Sequence, residues 1–240
     1  MVNGEKPKVN VSISCTIMQS SFNAQRKQSV EQLQFQLFSQ EWEKNWLNLT
    51  VIKDDVGRGP WWTAKKCWEE GSVSNATHHL LLQDDVVICN NFVNGIKSVI
   101  SSYSNDIISL FHGPRKAFNG SARWGLSEGV WGQGIVMPVY LVEEFLKWEA
   151  KNISKDFPHD DSRVSLFAIK TKRHVKVPFP NLVDHRDVEI KSVMGHKWIR
   201  PRISSDFMGE RNPEDFDWSN KKNQMKSVNS FTQYNKYLLK

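Results

Sequence analysis

The run Leu80-Leu81-Leu82 stops abruptly on Gln83-Asp84-Asp85. Consecutive apolar residues with no polar alternation mark a strand buried on both faces, and such a sheet needs helices on each side. The rest of the chain supplies them. Residues 9–17 alternate apolar and polar types with many β-branched residues, which predicts an opening strand, and Val30, Leu33, Leu37 and Phe38 predict an amphipathic helix over 28–39. Leu49-Thr50-Val51-Ile52 predicts a second strand, broken by the glycines and proline of residues 53–60 before a helix over 61–70. Val86-Val87-Ile88 reads as the same core strand resumed after two charges. Phe92, Ile96, Val99 and Ile100 mark a helix, Ile107 to Phe111 a strand, and Gly134 to Pro138 a strand leading into a helix around 140–148. Alternating strands and helices define an α/β fold.

With 240 residues, a chain of this kind buries roughly 70–75% of its unfolded surface, so its core needs neither disulfides nor structural metal. The three cysteines, Cys15, Cys67 and Cys89, sit in apolar or periodic segments, as buried thiols in a reducing compartment do. No window approaches the roughly 18 apolar residues of a membrane span, and the polar first ten residues lack a signal-peptide core, so a cytoplasmic protein is expected. The five Asn-x-Ser/Thr patterns therefore read as a consequence of an Asn-rich composition. Residues 1–8 are expected as a polar tail, 9–210 as one domain, and 211–240 as a loosely packed basic extension, since no acidic residue follows Trp218.

Ligands of open α/β sheets bind beyond the carboxyl ends of the strands. Three polar clusters fall there. Adjacent carboxylates at Asp84-Asp85 repel each other and invite a divalent cation, although an Asp pair in a polar turn has the same sequence. In Asp54-Asp55-Val56-Gly57-Arg58-Gly59 an Asp can accept from a nucleobase N–H and Arg58 can meet phosphate, and a plain solvated turn is the alternative. In the C-terminal half, Asp160 or Asp161 of His159-Asp160-Asp161 is a candidate general base or a helix cap, and His185 a candidate metal ligand. His78 and His79 open a core strand and are expected to be structural.

Taken in order, these segments resemble a GT-A-fold glycosyltransferase of the inverting, family 2-like type over residues 9–200. The resemblance is carried by the opening strand and Arg26 loop, Asp54-Asp55, Gln83-Asp84-Asp85, Trp131-Gly132-Gln133-Gly134, His159-Asp160-Asp161 and Leu182-Val183-Asp184-His185. It implies a single Rossmann-like GT-A domain with a mixed, mostly parallel sheet. It further implies that Asp54 or Asp55 recognises the base of a nucleotide sugar, usually uridine. Asp85 would chelate Mn²⁺ or Mg²⁺ from the last position of the Asp-x-Asp motif, with His185 completing the metal and diphosphate site. Arg26, Gln83 and Asp84 line the donor, Arg58 or Lys65 lies near the diphosphate, and Asp160 or Asp161 takes the acceptor proton. The first motif position departs from the pattern: Gln83 brings no charge.

A cation and basic side chains would neutralise the departing diphosphate while a carboxylate on the opposite face deprotonates the incoming hydroxyl. The basic and aromatic runs Lys170 to Lys176 and His196 to Arg202 suit a polyanionic acceptor, for instance DNA with hydroxymethylated pyrimidines such as some phages make; a glycan is the other candidate. A net charge of +6 is equally met by a solvated basic face. Two other classes fit less fully. One is a GT-A-like module that binds nucleic acid or glycan without catalysis, and the other a nucleotidyltransferase using Asp84 and Asp85, which lacks the expected glycine-rich, lysine-bearing loop.

Overall fold

The computed structural model describes residues 11–40, 48–113, 123–186, 190, 202–220, 225–227 and 236–239. The expected tail at residues 1–8 and most of the basic run 196–202 lie outside them.

The order of elements is β1 (Ile13–Gln19), α1 (Ala24–Ser39), β2 (Leu49–Lys53), α2 (Pro60–Ser72), β3 (His78–Leu82), β4 (Val86–Ile88), α3 (Phe92–Ser102), β5 (Ile107–Ser109), β6 (Trp124–Ser127), β7 (Gly134–Pro138), α4 (Val139–Asn152), α5 (Asp160–Lys170), β8 (Val175–Pro178), β9 (Val183–His185) and β10 (Met225–Ser227). Eight strands form one mixed sheet in the order β10-β6-β8-β5-β7-β3-β1-β2, and β4 and β9 form a separate pair. Within the large sheet β1 is parallel to β2 and β3, β5 to β8 and β10 to β6, while β7 runs antiparallel to both of its neighbours and β6 antiparallel to β8.

Side-chain alternation sorts the core into two layers. Ile13, Cys15 and Ile17 of β1, Leu80 and Leu82 of β3 and Val136 of β7 pack with Val30, Leu33 and Leu37 of α1 and Ile96, Val99 and Ile100 of α3. On the other face, Leu81, Ile135 and Met137 meet Ala64, Cys67 and Trp68 of α2, Leu141 and Phe145 of α4 and Phe167 of α5. Helices therefore cover both faces, as the apolar run of β3 requires. The three cysteines are free and buried, and burial pushes the thiols of Cys67 and Cys89 up to about 12.

The Asp84-Asp85 break does more than interrupt a strand. β3 stays in the large sheet, whereas Val86-Val87-Ile88 leaves it to pair antiparallel with β9, in register Val86 to His185. The chain leaves the sheet at the two buried carboxylates. Residues 211–220 depart from the expected loose extension: Trp218 is 3% exposed, its indole N–H donates to the Pro213 carbonyl, and Trp124 donates to the Trp218 carbonyl at 2.9 Å. Burial of the apolar area of Trp218 decides where that segment goes.

His79 is structural, as its position suggests. The residue is fully buried, its ring nitrogens lie 2.9 Å from the hydroxyls of Ser14 and Thr16, and burial lowers its pKa to about 3. Its ring fills the space beside Gly71 of α2, where a Cβ would come within 2.3 Å of the imidazole. Gly71→Ala is expected to lower stability by about 1–3 kcal/mol through overpacking, measured by urea unfolding. An unchanged midpoint would show that α2 shifts freely on the sheet.

Candidate active site

The parallel strands β1, β2 and β3 end together, and the loops that follow them are knitted into one edge. The Asp54 N–H donates to the Gln19 carbonyl at 2.8 Å, the Ser21 N–H to the Asp54 carbonyl at 3.1 Å, and the Ser20 N–H to Asp84 Oδ2 at 2.7 Å. The antiparallel β7 starts at the same edge, where the Gln83 N–H meets the Gln133 carbonyl at 3.3 Å. The pair β4–β9 adds His185, and α5 adds Asp160 and Asp161 in its first turn.

Asp84 and Asp85 are both 3% exposed, and the cation between them is Arg26. Asn23 caps α1 by accepting from the N–H groups of Gln25 and Arg26 at 3.0 and 3.2 Å, which fixes Arg26 in the first turn. Its guanidinium donates from one nitrogen to Asp84 Oδ1 and from the other to Asp85 Oδ2 at 2.7 Å. His185 Nε2 lies 3.2 Å from that same Asp85 oxygen. Burial raises the Asp84 carboxyl, and the Asp85 charge adds to this, outweighing Arg26 and reaching about 6. Burial also acts to raise Asp85, but His185 and then Arg26 hold it well below the usual carboxylate range. Asp85 is thus the ionised member, and its Oδ1 is a buried oxygen with no hydrogen-bond partner among the described residues.

Asp54 turns inward. It is 2% exposed, and its oxygens accept from the N–H groups of Val56 and Gly59 at 3.2 and 3.0 Å. Burial would raise its pKa, but the loop amides, those of Arg58 and Gly59 first, bring it below the ordinary value. This wrap needs positive φ at Gly57 (76°) and Gly59 (104°), which glycine adopts without strain. Asp55 is exposed and accepts from the Ser21 hydroxyl, while Arg58 lies 4.4 Å over the Trp62 ring. Lys65, half-buried on α2, acts on Glu149 of α4.

Asp160 and Asp161 are half-buried at the start of α5, and neither is the cap, a position taken by His159. Asp160 Oδ2 accepts from the Gln83 side-chain amide at 3.3 Å, and Asp161 Oδ1 from the Ser162 hydroxyl at 3.1 Å. Burial first, then the Asp161 charge, raises Asp160 to about 6; burial also raises Asp161.

Two arginines complete the site without having been singled out for it. Arg163 has its side chain fully buried; it pairs with Glu149, donates to the carbonyls of Ser154 and Phe157 and lies 4.3 Å over the Trp61 ring, bracing the turn that leads into Asp160. Arg202 acts electrostatically on both Asp85 and Asp161. Its segment is anchored at Ser204, whose N–H donates to Asp184 Oδ1 at 2.6 Å, one residue before His185. Sequence carried a weak signal for Arg202, the end of a basic run, and none for Arg163.

No family model and no curated protein matches the sequence. Solved structures do resemble it. A Drosophila β1,4-galactosyltransferase 7 mutant, in complex with manganese, UDP-Gal and xylobiose, aligns with a TM-score of 0.50 and 9% identity over 79% of this chain and 78% of that one. The catalytic domain of Drosophila β1,4-galactosyltransferase 7 with xylobiose aligns at 0.47 and 9% identity, over 90% of this chain and 83% of that one. A glycosyltransferase involved in glycosylation of the PBCV-1 major capsid aligns at 0.44 and 12% identity, over 70% and 83%. The fold is that of GT-A-type glycosyltransferases. Among the described residues no helix is long and apolar enough to cross a membrane, and no group of three or more His, Cys, Asp or Glu is placed to hold a metal ion.

Proposed function

We propose that the protein is a glycosyltransferase that moves a sugar from a UDP-sugar to an acceptor hydroxyl with inversion at the anomeric carbon. One observation carries this reading: at the edge where β1, β2 and β3 end, two carboxylate pairs stand together, Asp84–Asp85 with Asp85 held ionised, and Asp160–Asp161 with both members raised, Asp160 to about 6. An ionised group suits a donor's cation, and a raised carboxylate suits proton transfer near neutral pH.

The buried Asp85 Oδ1 is unpartnered among the described residues, and His185 meets the other oxygen of the same carboxylate; the two residues would be the protein donors to a divalent cation, with oxygens of the donor and water filling the remaining positions. A bound Mn²⁺ or Mg²⁺ supplies Lewis-acid stabilisation of the leaving diphosphate. Arg202, beside the same carboxylates, offsets part of that charge. Asp55 and the Gly57–Gly59 turn offer the nucleobase a surface, Asp54 shapes that turn from beneath, and Arg58 lies at its rim. Asp160 or Asp161 takes the proton of the acceptor hydroxyl as its oxygen bonds to the anomeric carbon and the bond to the diphosphate breaks.

A glycan acceptor is favoured over DNA. Of the basic run at 170–176, Arg173 is paired with Glu144 and Lys176 lies 3.9 Å from Asp106 and over the Tyr103 ring, so part of the apparent polyanion surface is neutralised within the protein. The test is a thermal-shift panel of nucleotides and UDP-sugars with and without Mn²⁺. A ligand at 100 times its Kd stabilises by about 2.7 kcal/mol, and a cognate donor should also be slowly hydrolysed. Binding without hydrolysis or transfer to any glycan would favour a non-catalytic module, and no shift at all would remove the donor site.

A further inference from the structure

We infer that Gln83 is a positioning residue for the carboxylate of Asp160, so that the first position of the Asp-x-Asp-like motif serves the acceptor side of the site and Asp160, rather than Asp161, is the general base. The inference rests on the glycosyltransferase reading for its chemistry, and on geometry for the contact itself. Gln83 is the first residue beyond β3, and its backbone is tied to Gln133 across the mouth of β7. Its side-chain amide donates to Asp160 Oδ2 at 3.3 Å. Gly132 closes the other side: a Cβ there would stand 2.5 Å from Gln83 Nε2 and 3.5 Å from Asp160 Oδ2. A side chain at 132 would therefore displace the amide from the carboxylate.

The choice of an amide has a physical reason. A carboxylate at position 83 would repel Asp160 and force the two to share a proton, and a lysine would pair with it and suppress its basicity. A neutral N–H donor orients the carboxylate while leaving it basic. Asp160 is faced by Asp161 on its own helix, by Gln83, and electrostatically by Arg163 and the Cys67 thiol. The balance leaves it raised to about 6, which supports a base working near neutrality. Asp161 instead accepts from Ser162 beside it and feels Arg202.

The experiment compares Gln83→Met, Gln83→Glu and Gly132→Ala with wild type. Gln83→Met is expected to lower kcat about 10–100-fold, the scale for partners that orient a reacting side chain, with the donor KM unchanged within about twofold. The acid limb of the kcat–pH profile should move up, because a hydrogen bond to the charged form is lost. Gln83→Glu should move it further, by about a unit or more, and Gly132→Ala should reproduce the Gln83→Met profile. Loss confined to donor KM, or an unmoved limb, overturns the inference, as does a milder kcat loss in Asp160→Asn than in Asp161→Asn. Carboxyl ¹³C NMR of aspartate-labelled protein, assigned with Asp160→Asn, reads the contact without turnover. An upward shift of the Asp160 titration in Gln83→Met supports the link even if no UDP-sugar is used, and an unshifted titration overturns it.

Discussion

Replacing Arg26 by Met is expected to lower the unfolding free energy by about 3–5 kcal/mol, the cost of leaving buried charge uncompensated. Arg26 is 4% exposed, and its guanidinium is shared between two adjacent carboxylates that are equally buried. Methionine keeps most of the side-chain volume, so packing changes little and the electrostatic loss dominates. The pH dependence identifies the cause. Without the guanidinium, Asp84 rises further above its unfolded value and Asp85, still held by His185, loses one of the groups that keep it low, so the folded variant binds protons more tightly than the wild type and recovers part of the loss as pH falls from 7 towards 4. In the wild type, Asp85 is held low, and its contribution is present above the unfolded value and lost as pH falls through the folded one. The difference between the two proteins should therefore shrink as pH falls. Urea unfolding at pH 7, 6, 5 and 4 measures it, and a loss below 1 kcal/mol that does not vary with pH would mean that Asp84 and Asp85 are neutralised by something other than Arg26.

The same cluster marks where local sequence stops informing. Strands β1, β2, β3 and β7 and the helices that follow them are legible because period-2 and period-3.6 patterns are local consequences of burial on one face or two. The acidic edge is legible as well, since charges that end an apolar strand mark where that strand stops, although Asp84 and Asp85 themselves stay buried. The antiparallel course of β7 was not, because Gly134 to Pro138 is buried on both faces whichever way it runs. Nor was the separation of β4 from β3, which depends on β9 arriving from almost a hundred residues downstream. The expectation of a metal between Asp84 and Asp85 rests on their mutual repulsion, which is real. The guanidinium that relieves much of it is 58 and 59 residues away in sequence, and nothing near Arg26 announces its destination. Arg163 is harder still, since an arginine on an amphipathic helix is ordinarily solvated and only the fold brings Glu149, Trp61 and the Phe157 carbonyl around it. Trp218 is masked in the sequence by the charged residues on either side of it, Glu214, Asp215 and Asp217 before and Lys221 and Lys222 after.

Asp85→Asn separates the ion pair with Arg26 from the cation-binding role proposed for this carboxylate, and turnover is expected to fall by about 10³-fold while the fold survives. Asparagine matches the shape and still offers Arg26 an oxygen, and Asp84 keeps its own bond to the guanidinium, so the change in stability should stay well below that of Arg26→Met. Oδ1 is different. In the wild type it is an ionised, buried oxygen that no donor among the described residues satisfies, and a neutral amide in its place is a far weaker ligand for a hard cation. Electron paramagnetic resonance of Mn²⁺ titrated into each protein with UDP present should accordingly show weakened binding in Asp85→Asn and in His185→Ala. Arg202→Met should instead lose turnover with Mn²⁺ affinity retained if, as proposed, its charge acts on the diphosphate and supplies no ligand. Asp85→Asn retaining activity within threefold of wild type, with Mn²⁺ binding intact, would take Asp85 out of the donor site and leave its ion pair with Arg26 as a structural device that ends β3. Loss of activity in Arg202→Met alone would then assign neutralisation of the leaving group to the arginine, with Gln83 and Asp160 still facing the acceptor across the same edge.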